Sequence, residues 1–442
     1  MPVRKVINKG IEAILSFQNI DGGIPATAAE KPSGCWTSAD TLEAILVSGI
    51  YSKYGVGRIK KIVNFLIDSQ IGSHEIQANT PKVRSNFKYG SWSLFQGQDP
   101  STMATGHSVT SLYLASTFLE DDPLFHERIV RAVKAGLEWI ERNQNEDGSW
   151  GTQPQSGNAG KEGSIIAIMY AMLPYKYINF TMQNSSTVQR SVKYLRTKQN
   201  RDGSWSSGRN KNGDPSNTAR AVTCLIRAGY NDSSCINRGV SFILNNQIPD
   251  RGLWEIEAER FDIEKAPAQL IFNNNTNCDI MVAFMEADYY GEESVKLFKW
   301  LLSSQNDDGL WYLSSPTKTV AEICTWSTAE WVFAIDFASK KLIGNKANLF
   351  KKEKANLKWL LFLGFAIILV YNTYYTYREN ISQWWNSLNE KTRENTFWVI
   401  IIGIIVAALG AAIWDWIKSL FKVVKTHFKK WFNLKFRKQE NN

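Results

Sequence analysis

The segment QNEDGSW, from Gln144 to Trp150, is the part of this 442-residue chain that decides its fold. It recurs as QNRDGSW from Gln199, as QIPDRGLW from Gln247 and as QNDDGLW from Gln305, with weaker copies near Gln18 and Gln70. A unit that returns about every 50 residues is typical of a repeat protein. The sequence therefore predicts six structural repeats.

Each repeat is predicted to contain two helices. The segment before each Gln carries apolar residues at helical spacing; before Gln199 they are Val188, Val192 and Leu195. The Asp-Gly that follows stops the helix and turns the chain, and the Trp then enters the core. A second, more apolar helix is expected to begin, with Thr, Ser or Asn as a suitable N-cap, at Ser38, Thr105, Glu162, Thr218, Asn277 and Thr328. This alternation predicts two concentric rings of helices.

These units resemble the α/α-toroid repeats of squalene and oxidosqualene cyclases and of protein prenyltransferase β subunits. The resemblance lies in the Gln, Asp-Gly and Trp signatures that begin at Gln144, Gln199, Gln247 and Gln305, and in the helix starts TARA and TAEW at Thr218 and Thr328. It covers about residues 1–338 and implies an all-α fold, an (α/α)6 toroid of six helical hairpins. The Gln and Trp residues are interpreted as structural, because an amide can bond carbonyls at a helix end and an indole offers a large packing surface.

The catalytic groups that the resemblance implies are missing from the sequence. The cyclases protonate an alkene with an Asp of a DxDD motif, where burial and neighbouring carboxyls retain the proton, and no DxDD occurs in this chain. The prenyltransferases hold zinc with Asp, Cys and His. Here only Cys278 matches, because Thr276 and Ser327 stand at the other two positions. The sequence thus predicts no metal and no cofactor, and it leans against enzymatic activity without excluding it.

Equivalent positions of the inner helices carry a set of polar side chains, predicted to face one another near one mouth of the central cavity: Asp40, His107, Ser164, Arg220, Asp279 and Glu330. Enclosed histidines and carboxylates have shifted pKa values. Asp40, Glu330 and Asp279 are candidate catalytic acids, the first two forming the preferred proton-donor pair across the ring closure. His107, Arg220 and Ser164 are candidate ligand-binding residues. The alternative is that some of these side chains lie in helix seams or form ion pairs, such as Arg220 with Asp279.

The cysteine pattern favours reduced thiols. The chain has five cysteines, an odd number, and no CxxC spacing. Three of them, Cys35, Cys278 and Cys324, precede or open neighbouring inner helices, so a thiolate metal cluster is an alternative. Small buried thiols in a reducing compartment are the favoured interpretation.

The composition changes after about residue 340. Residues 340 to 442 have a formal charge of +12 and the rest of the chain −3, so the basic character belongs to the tail and the toroid is not expected to bind nucleic acid. The tail is predicted to contain a basic linker (339–356), two transmembrane helices (about 357–377 and 397–417) and a basic amphipathic helix (418–442). Lysines flank the predicted pair of spans while the connection between them is neutral, which places both termini and the toroid in the cytoplasm.

Two functions are left open by the sequence. The favoured one is a membrane-anchored toroid that binds a hydrophobic small molecule or a protein partner in its central cavity, without standard cyclase or prenyltransferase catalysis. The alternative is a divergent isoprenoid-processing enzyme at the membrane, similar to a class II terpene cyclase or a prenyltransferase. Membrane lipid is an expected partner in both.

Overall fold

The computed structural model describes the chain over residues 3–27, 32–79, 86–155, 158–206, 212–248, 253–254, 258–261, 270–273, 275–311 and 325–344. The predicted linker is covered only as far as residue 344, where it is helical, and both predicted spans and the tail helix lie outside the described residues. Among the helices that are described, none has the length and apolar character needed to cross a membrane.

The described helices alternate between two layers. In chain order they are α1 (Val3–Leu15), α2 (Cys35–Val47), α3 (Tyr51–Tyr54), α4 (Val56–Ser69), α5 (Ser73–Gln77), α6 (Thr102–Phe118), α7 (Pro123–Arg142), α8 (Asn158–Lys161), α9 (Ile165–Tyr177), α10 (Ser186–Thr197), α11 (Pro215–Arg227), α12 (Ser233–Asn245), α13 (Thr276–Glu286), α14 (Glu292–Ser303) and α15 (325–344). The outer layer consists of α1, α4, α7, α10, α12 and α14. The inner layer consists of α2, α6, α9, α11, α13 and α15.

The two layers differ in burial as the periodicity predicts. Outer helices bury one stripe, which in α1 includes Val6, Ile7, Ile11 and Ile14, whereas nearly every residue of the inner helix α2 is buried. Successive inner helices pack on one another from α2 through α6, α9 and α11 to α13. Small residues permit this approach: a Cβ on Gly106 would lie 2.0 Å from the carbonyl oxygen of Tyr170.

The signature Trp ties the two helices of its repeat together. The indole of Trp205 is fully buried and donates to the carbonyl of Leu195 on the outer helix at 2.7 Å. Its backbone N–H donates to Oγ1 of Thr218 on the inner helix at 3.0 Å. The same indole bond to the outer helix is made by Trp92, Trp150, Trp254 and Trp311. The interpretation of this Trp as a structural residue is confirmed.

The signature Gln ties each repeat to the next one. The amide of Gln144 donates to Gly148 O in its own turn at 3.0 Å and to Thr187 O, in the next outer helix, at 2.9 Å. Equivalent pairs of bonds are made by Gln18, Gln70, Gln199 and Gln305. Gln therefore joins neighbouring outer helices, as its structural interpretation requires.

The ring closes between the last and the first repeat. Gln305 donates to Val6 O at 2.9 Å, which joins α14 to α1. On the inner layer the rings of Trp36 and Trp326 lie 5.3 Å apart, which joins α2 to α15. The repeats thus form a toroid around a central cavity.

Several predicted helix starts are wrong by a few residues. The inner helices α2, α6 and α11 begin three residues earlier than predicted, and α9 begins three residues later, at Ile165; α15 is helical from 325, its first described residue. Thr105 and Thr218 lie inside the first turn, where each hydroxyl accepts from a Trp backbone N–H. The residues that cap α6, α9 and α11 are Ser101, Ser164 and Asp214.

Two short antiparallel strand pairs, absent from the all-α prediction, lie in the connections. Strand β1 (Ile24–Pro25) pairs with β2 (Ser33–Gly34), and β3 (Ala258–Phe261) pairs with β4 (Leu270–Asn273).

The turn glycine of the repeat supplies a test of this packing. Gly203 has a φ of +92°, and a Cβ there would lie 2.5 Å from the carbonyl oxygen of Arg238 on the next outer helix. We expect Gly203→Ala to lower the free energy of unfolding by more than about 1 kcal/mol, because both the φ and the contact are unfavourable. Gly57→Ala is the control, since a Cβ there meets nothing within 4 Å. Urea denaturation followed by Trp fluorescence measures both, and equal stability of the two variants would contradict the packing.

Candidate functional site

A cavity lies among the inner helices at the centre of the toroid. Its wall combines ionisable and apolar side chains: Asp40, Glu43, His107, Met169, Tyr170, Leu173, Arg220, Thr223, Arg227, Cys278, Asp279, Val282, Ala329, Glu330 and Phe333. The space open to the centres of water-sized spheres is about 90 Å³, enough for about three water molecules. Five of the six predicted ring positions, all except Ser164, line this cavity.

Ser164 is the predicted site residue that the structure places elsewhere. Its side chain accepts from the backbone N–H of Ala167 and caps α9, outside the cavity wall, and its role in ligand binding stays a prediction. The sixth residue of α9 is Tyr170, and the sixth residues of α2 and α6 are Asp40 and His107. Tyr170 therefore has the position in the third repeat that Asp40 and His107 have in the first two.

Asp40 and His107 form a close buried pair. Nδ1 of His107 lies 2.6 Å from Oδ1 of Asp40 and 3.9 Å from Oε2 of Glu43. Burial lowers the pKa of His107, but the two carboxylates outweigh burial and raise it to about 10. For Asp40, burial raises the pKa more than His107 lowers it. The pair consequently holds at least one proton at neutral pH.

Glu330 is contacted by two residues from other inner helices: Asn275, the N-cap residue of α13, and Tyr170 of α9. Its Oε2 accepts from the side-chain amide of Asn275, and Oε1 lies 3.2 Å from the hydroxyl of Tyr170. The Asn275 oxygen accepts from Ser327 at 3.0 Å and from the Trp331 indole at 3.1 Å, so its NH₂ group must face Glu330. Oε1 is the acceptor of the hydrogen bond that the Tyr170 hydroxyl donates.

Burial and neighbouring charge keep Glu330 neutral. Burial is the largest cause, followed by the negative charges of Asp40 and Asp279, and together they raise the pKa of Glu330 to about 8. Burial, followed by the charge of Glu330, also raises the pKa of Tyr170 well above its usual value. A carboxyl group protonated at neutral pH and facing a cavity is a suitable proton or hydrogen-bond donor.

Arg220 and Asp279 form the ion pair proposed as the alternative to a catalytic role. Nε of Arg220 lies 3.0 Å from Oδ2 of Asp279, which also accepts from Ser216 at 2.8 Å. A carboxylate paired in this way is stabilised in its ionised form. Asp279 is consequently a weaker proton-donor candidate than Glu330, although both line the cavity.

A second charged cluster, which the sequence analysis missed, lies at the C-terminal end of the inner helices. Glu286 accepts from Nε of Arg227 at 2.8 Å and from Nζ of Lys176 at 3.0 Å. Burial raises the pKa of Glu286, but these two cations outweigh burial and lower it. Arg227 follows Arg220 by seven residues on α11, a spacing that repeats one helix face and that could have identified it.

The described cysteines agree with the predicted buried thiols. Cys35, Cys224, Cys235 and Cys278 are free and buried. Burial raises the pKa of Cys35 and of Cys224 to about 12, so both are neutral thiols near pH 7. Cys324 lies outside the described residues.

The chain has distant relatives among triterpene cyclases. Residues 122–214 match the family model described as the squalene–hopene cyclase C-terminal domain. Squalene–hopene cyclase of Zymomonas mobilis is 25% identical over 169 residues, which is 36% of this chain and 23% of the relative. Lanosterol synthase of Saccharomyces cerevisiae is 28% identical over 144 residues, which is 30% of this chain and 18% of the relative. The resemblance to squalene and lanosterol-forming cyclases is confirmed, and the chain spans about a fifth of the length of these relatives.

The toroid fold also occurs in the solved structure of a mannanase, a protein whose named activity differs from that of the cyclases. The GH76A α-1,6-mannanase from Salegentibacter sp. HEL1_6 superposes with a TM-score of 0.52 at 8% sequence identity, over 77% of this chain and 99% of that chain. At this identity the similarity shows the fold alone. The chain therefore has an α/α toroid fold, and its residues 122–214 are similar to the squalene–hopene cyclase C-terminal domain.

The raised pKa of Glu330 predicts a specific effect of pH on stability. Because the folded chain binds this proton more tightly than the unfolded chain, the contribution of Glu330 to stability falls as pH rises from about 4.5 to about 8. Glu330→Gln removes the titration. We expect the stability of the variant relative to the natural chain to rise by about 1.4 kcal/mol per pH unit over that interval and to level off above it.

Denaturation of both proteins at a series of pH values measures this difference. Glu146→Gln, at an exposed position in a turn, is the matched control and should leave the pH dependence unchanged. A constant difference between Glu330→Gln and the natural chain from pH 5 to pH 8 would mean that Glu330 is ionised throughout.

Proposed function

We propose that this toroid binds the end of a hydrophobic, isoprenoid-type ligand in its central cavity. The observation that carries the proposal is the shared wall, in which Met169, Leu173, Val282 and Phe333 stand beside the neutral carboxyl of Glu330. Apolar walls with a few convergent polar groups are typical of small-molecule sites. The names of the relatives, which refer to squalene, hopene and lanosterol, support an isoprenoid as the ligand class.

The size of the cavity limits what enters it. A space of about 90 Å³ accommodates a terminal group, not a whole triterpene, and the ionisable wall suits a ligand end that carries an oxygen. Glu330 would donate a hydrogen bond to that oxygen.

Membrane anchoring is the second element of the proposal. The inner helices run in one direction, so their C-terminal ends share one end of the toroid. Large apolar side chains are exposed along that end and at the adjoining starts of the outer helices: Val56, Phe118, Leu124, Phe180 and Ile343. The two spans that the sequence of the tail predicts (357–377 and 397–417) would anchor the chain in a membrane, with both termini cytoplasmic.

A second candidate function is acid-catalysed chemistry on the isoprenoid. It is favoured by one observation, the buried Glu330 carboxyl that Asn275 and Tyr170 hold at the cavity wall. In this role Glu330 would transfer its proton to an alkene of the ligand, and the carbocation formed would lose a proton to the Glu330 carboxylate, which gives the product and restores the acid. Glu330 replaces the predicted pair of Asp40 and Glu330 as the donor, because Asp40 is engaged with His107.

Ligand binding is tested by narrowing the cavity. Full-length protein is purified in detergent, and bound lipids are extracted and identified by mass spectrometry. We expect an isoprenoid compound at close to one equivalent, reduced at least about tenfold in Val282→Trp, which fills the apolar wall. Val130→Trp, on the exposed face of α7, is the control of equal added volume. Identical recovery from both variants would contradict binding in this cavity.

Catalysis is tested separately with Glu330→Gln. This variant retains the shape of the side chain but has no acidic proton, so it should still bind the isoprenoid. If the chain is an enzyme, conversion of polyprenyl compounds to cyclised products should fall by at least about a hundredfold. Product formation at an equal rate by Glu330→Gln would exclude the acid role, and binding without any conversion by the natural chain would leave a binding protein.

A further inference from the structure

We propose that Asp40, Glu43 and His107 form a binding site for a first-row divalent cation such as Mn²⁺, Fe²⁺ or Zn²⁺. One ligand atom from each residue can be chosen such that all three lie within 4.8 Å of one another. Asp40 and Glu43 are separated by three positions on α2 and share one face of that helix, while His107 comes from the neighbouring helix α6. All three line the central cavity.

Unsatisfied polar atoms provide a second, independent reason. Nδ1 of His107 and Oδ2 of Asp40 are buried and form no hydrogen bond of acceptable geometry among the described residues. The two side chains are only 6% and 4% exposed. Leaving such buried polar atoms unsatisfied is destabilising, and more so when the atom is charged. A bound cation would satisfy the carboxylate oxygens and one imidazole nitrogen at the same time.

Neighbouring aromatic residues hold two of these side chains in place. The Tyr177 hydroxyl donates to Oε1 of Glu43 at 3.0 Å, which leaves Oε2 directed toward His107. The ring of Tyr170 packs on the ring of His107 with centroids 4.3 Å apart. Residues that orient the ligands are a regular part of protein metal sites, because they reduce the freedom lost on binding.

The donor set decides the class of cation. One imidazole nitrogen and two carboxylate oxygens suit manganese, iron or zinc, whereas magnesium and calcium prefer oxygen ligands alone. Three protein ligands beside a cavity leave coordination positions for an oxygen atom of a ligand. This site differs from the zinc position that the prenyltransferase resemblance implies at Cys278. The prediction from the sequence that no metal is bound considered only that position and the cysteines.

Metal titration of the full-length protein tests the proposal. The protein is purified in detergent, treated with a chelator and titrated calorimetrically with MnCl₂, ZnCl₂ or MgCl₂ alone. We expect one equivalent of Mn²⁺ or Zn²⁺ to bind at least about tenfold more tightly than Mg²⁺. Asp40→Asn and His107→Gln should each weaken this binding at least about tenfold.

Glu146→Gln, at an exposed position in a turn, is the matched control, because it removes one carboxylate that does not line the cavity. It should leave metal affinity unchanged. Pulsed electron paramagnetic resonance of the Mn²⁺-loaded natural chain should show coupling to an imidazole nitrogen, and this measurement needs no variant. No stoichiometric binding, equal affinity in Asp40→Asn and His107→Gln, or a spectrum without nitrogen coupling would each overturn the proposal.

Discussion

The hydrogen bonds of the signature Gln and Trp are the interactions on which the rest of the structure depends. Trp205 bonds the outer helix through its indole and the inner helix through its backbone N–H. Gln199 then bonds the turn of its own repeat and the next outer helix. These groups are buried or partly buried, so losing one partner leaves a polar atom unsatisfied, which costs more than the bond itself contributes. The repetition of the same bonds, through Gln305 to Val6, fixes a closed ring.

Closure of the ring has an electrostatic consequence. Inner helices that are buried on nearly all sides can direct charged side chains only into seams or into the central cavity, where desolvation is costly. The chain meets this cost with pairs: Asp40 with His107, Arg220 with Asp279, and Glu286 with Arg227 and Lys176. Glu330 lacks a cation at ion-pair distance among the described residues and instead remains protonated, bonded to Asn275 and near Tyr170. The same burial that stabilises the ring therefore supplies a neutral acid to the cavity.

The fold was predictable because it is encoded locally and many times over. Each copy of the signature contains its own helix stop, turn glycine and core tryptophan, so an error in one copy does not change the interpretation. The Arg220–Asp279 pair was predictable for the same reason, since both residues follow clear copies. The third repeat was predicted in the wrong register, because the loop after Trp150 is longer than the loops after Trp92 and Trp205. Ser164 was therefore predicted inside α9, whereas it is the N-cap of that helix. That shift exchanged Ser164 for Tyr170.

The roles of other site residues come from contacts between distant repeats of the ring, and a local sequence pattern does not predict such contacts. Asn275 caps no helix with its side chain, yet it orients Glu330 from the neighbouring repeat. Tyr177 reaches Glu43 across two repeat boundaries. Such residues become identifiable only when the inner helices are placed side by side.

The chemistry of the cavity depends most on whether Glu330 is a neutral carboxylic acid inside the toroid. Infrared difference spectroscopy of the full-length protein against Glu330→Gln measures its protonation directly, through the C=O stretching band of a protonated carboxyl group. This band should be present at neutral pH, disappear with a midpoint near pH 8 and be missing from the variant. A carboxylate band from Glu330 at neutral pH, with no protonated form between pH 6 and pH 8, would contradict this prediction.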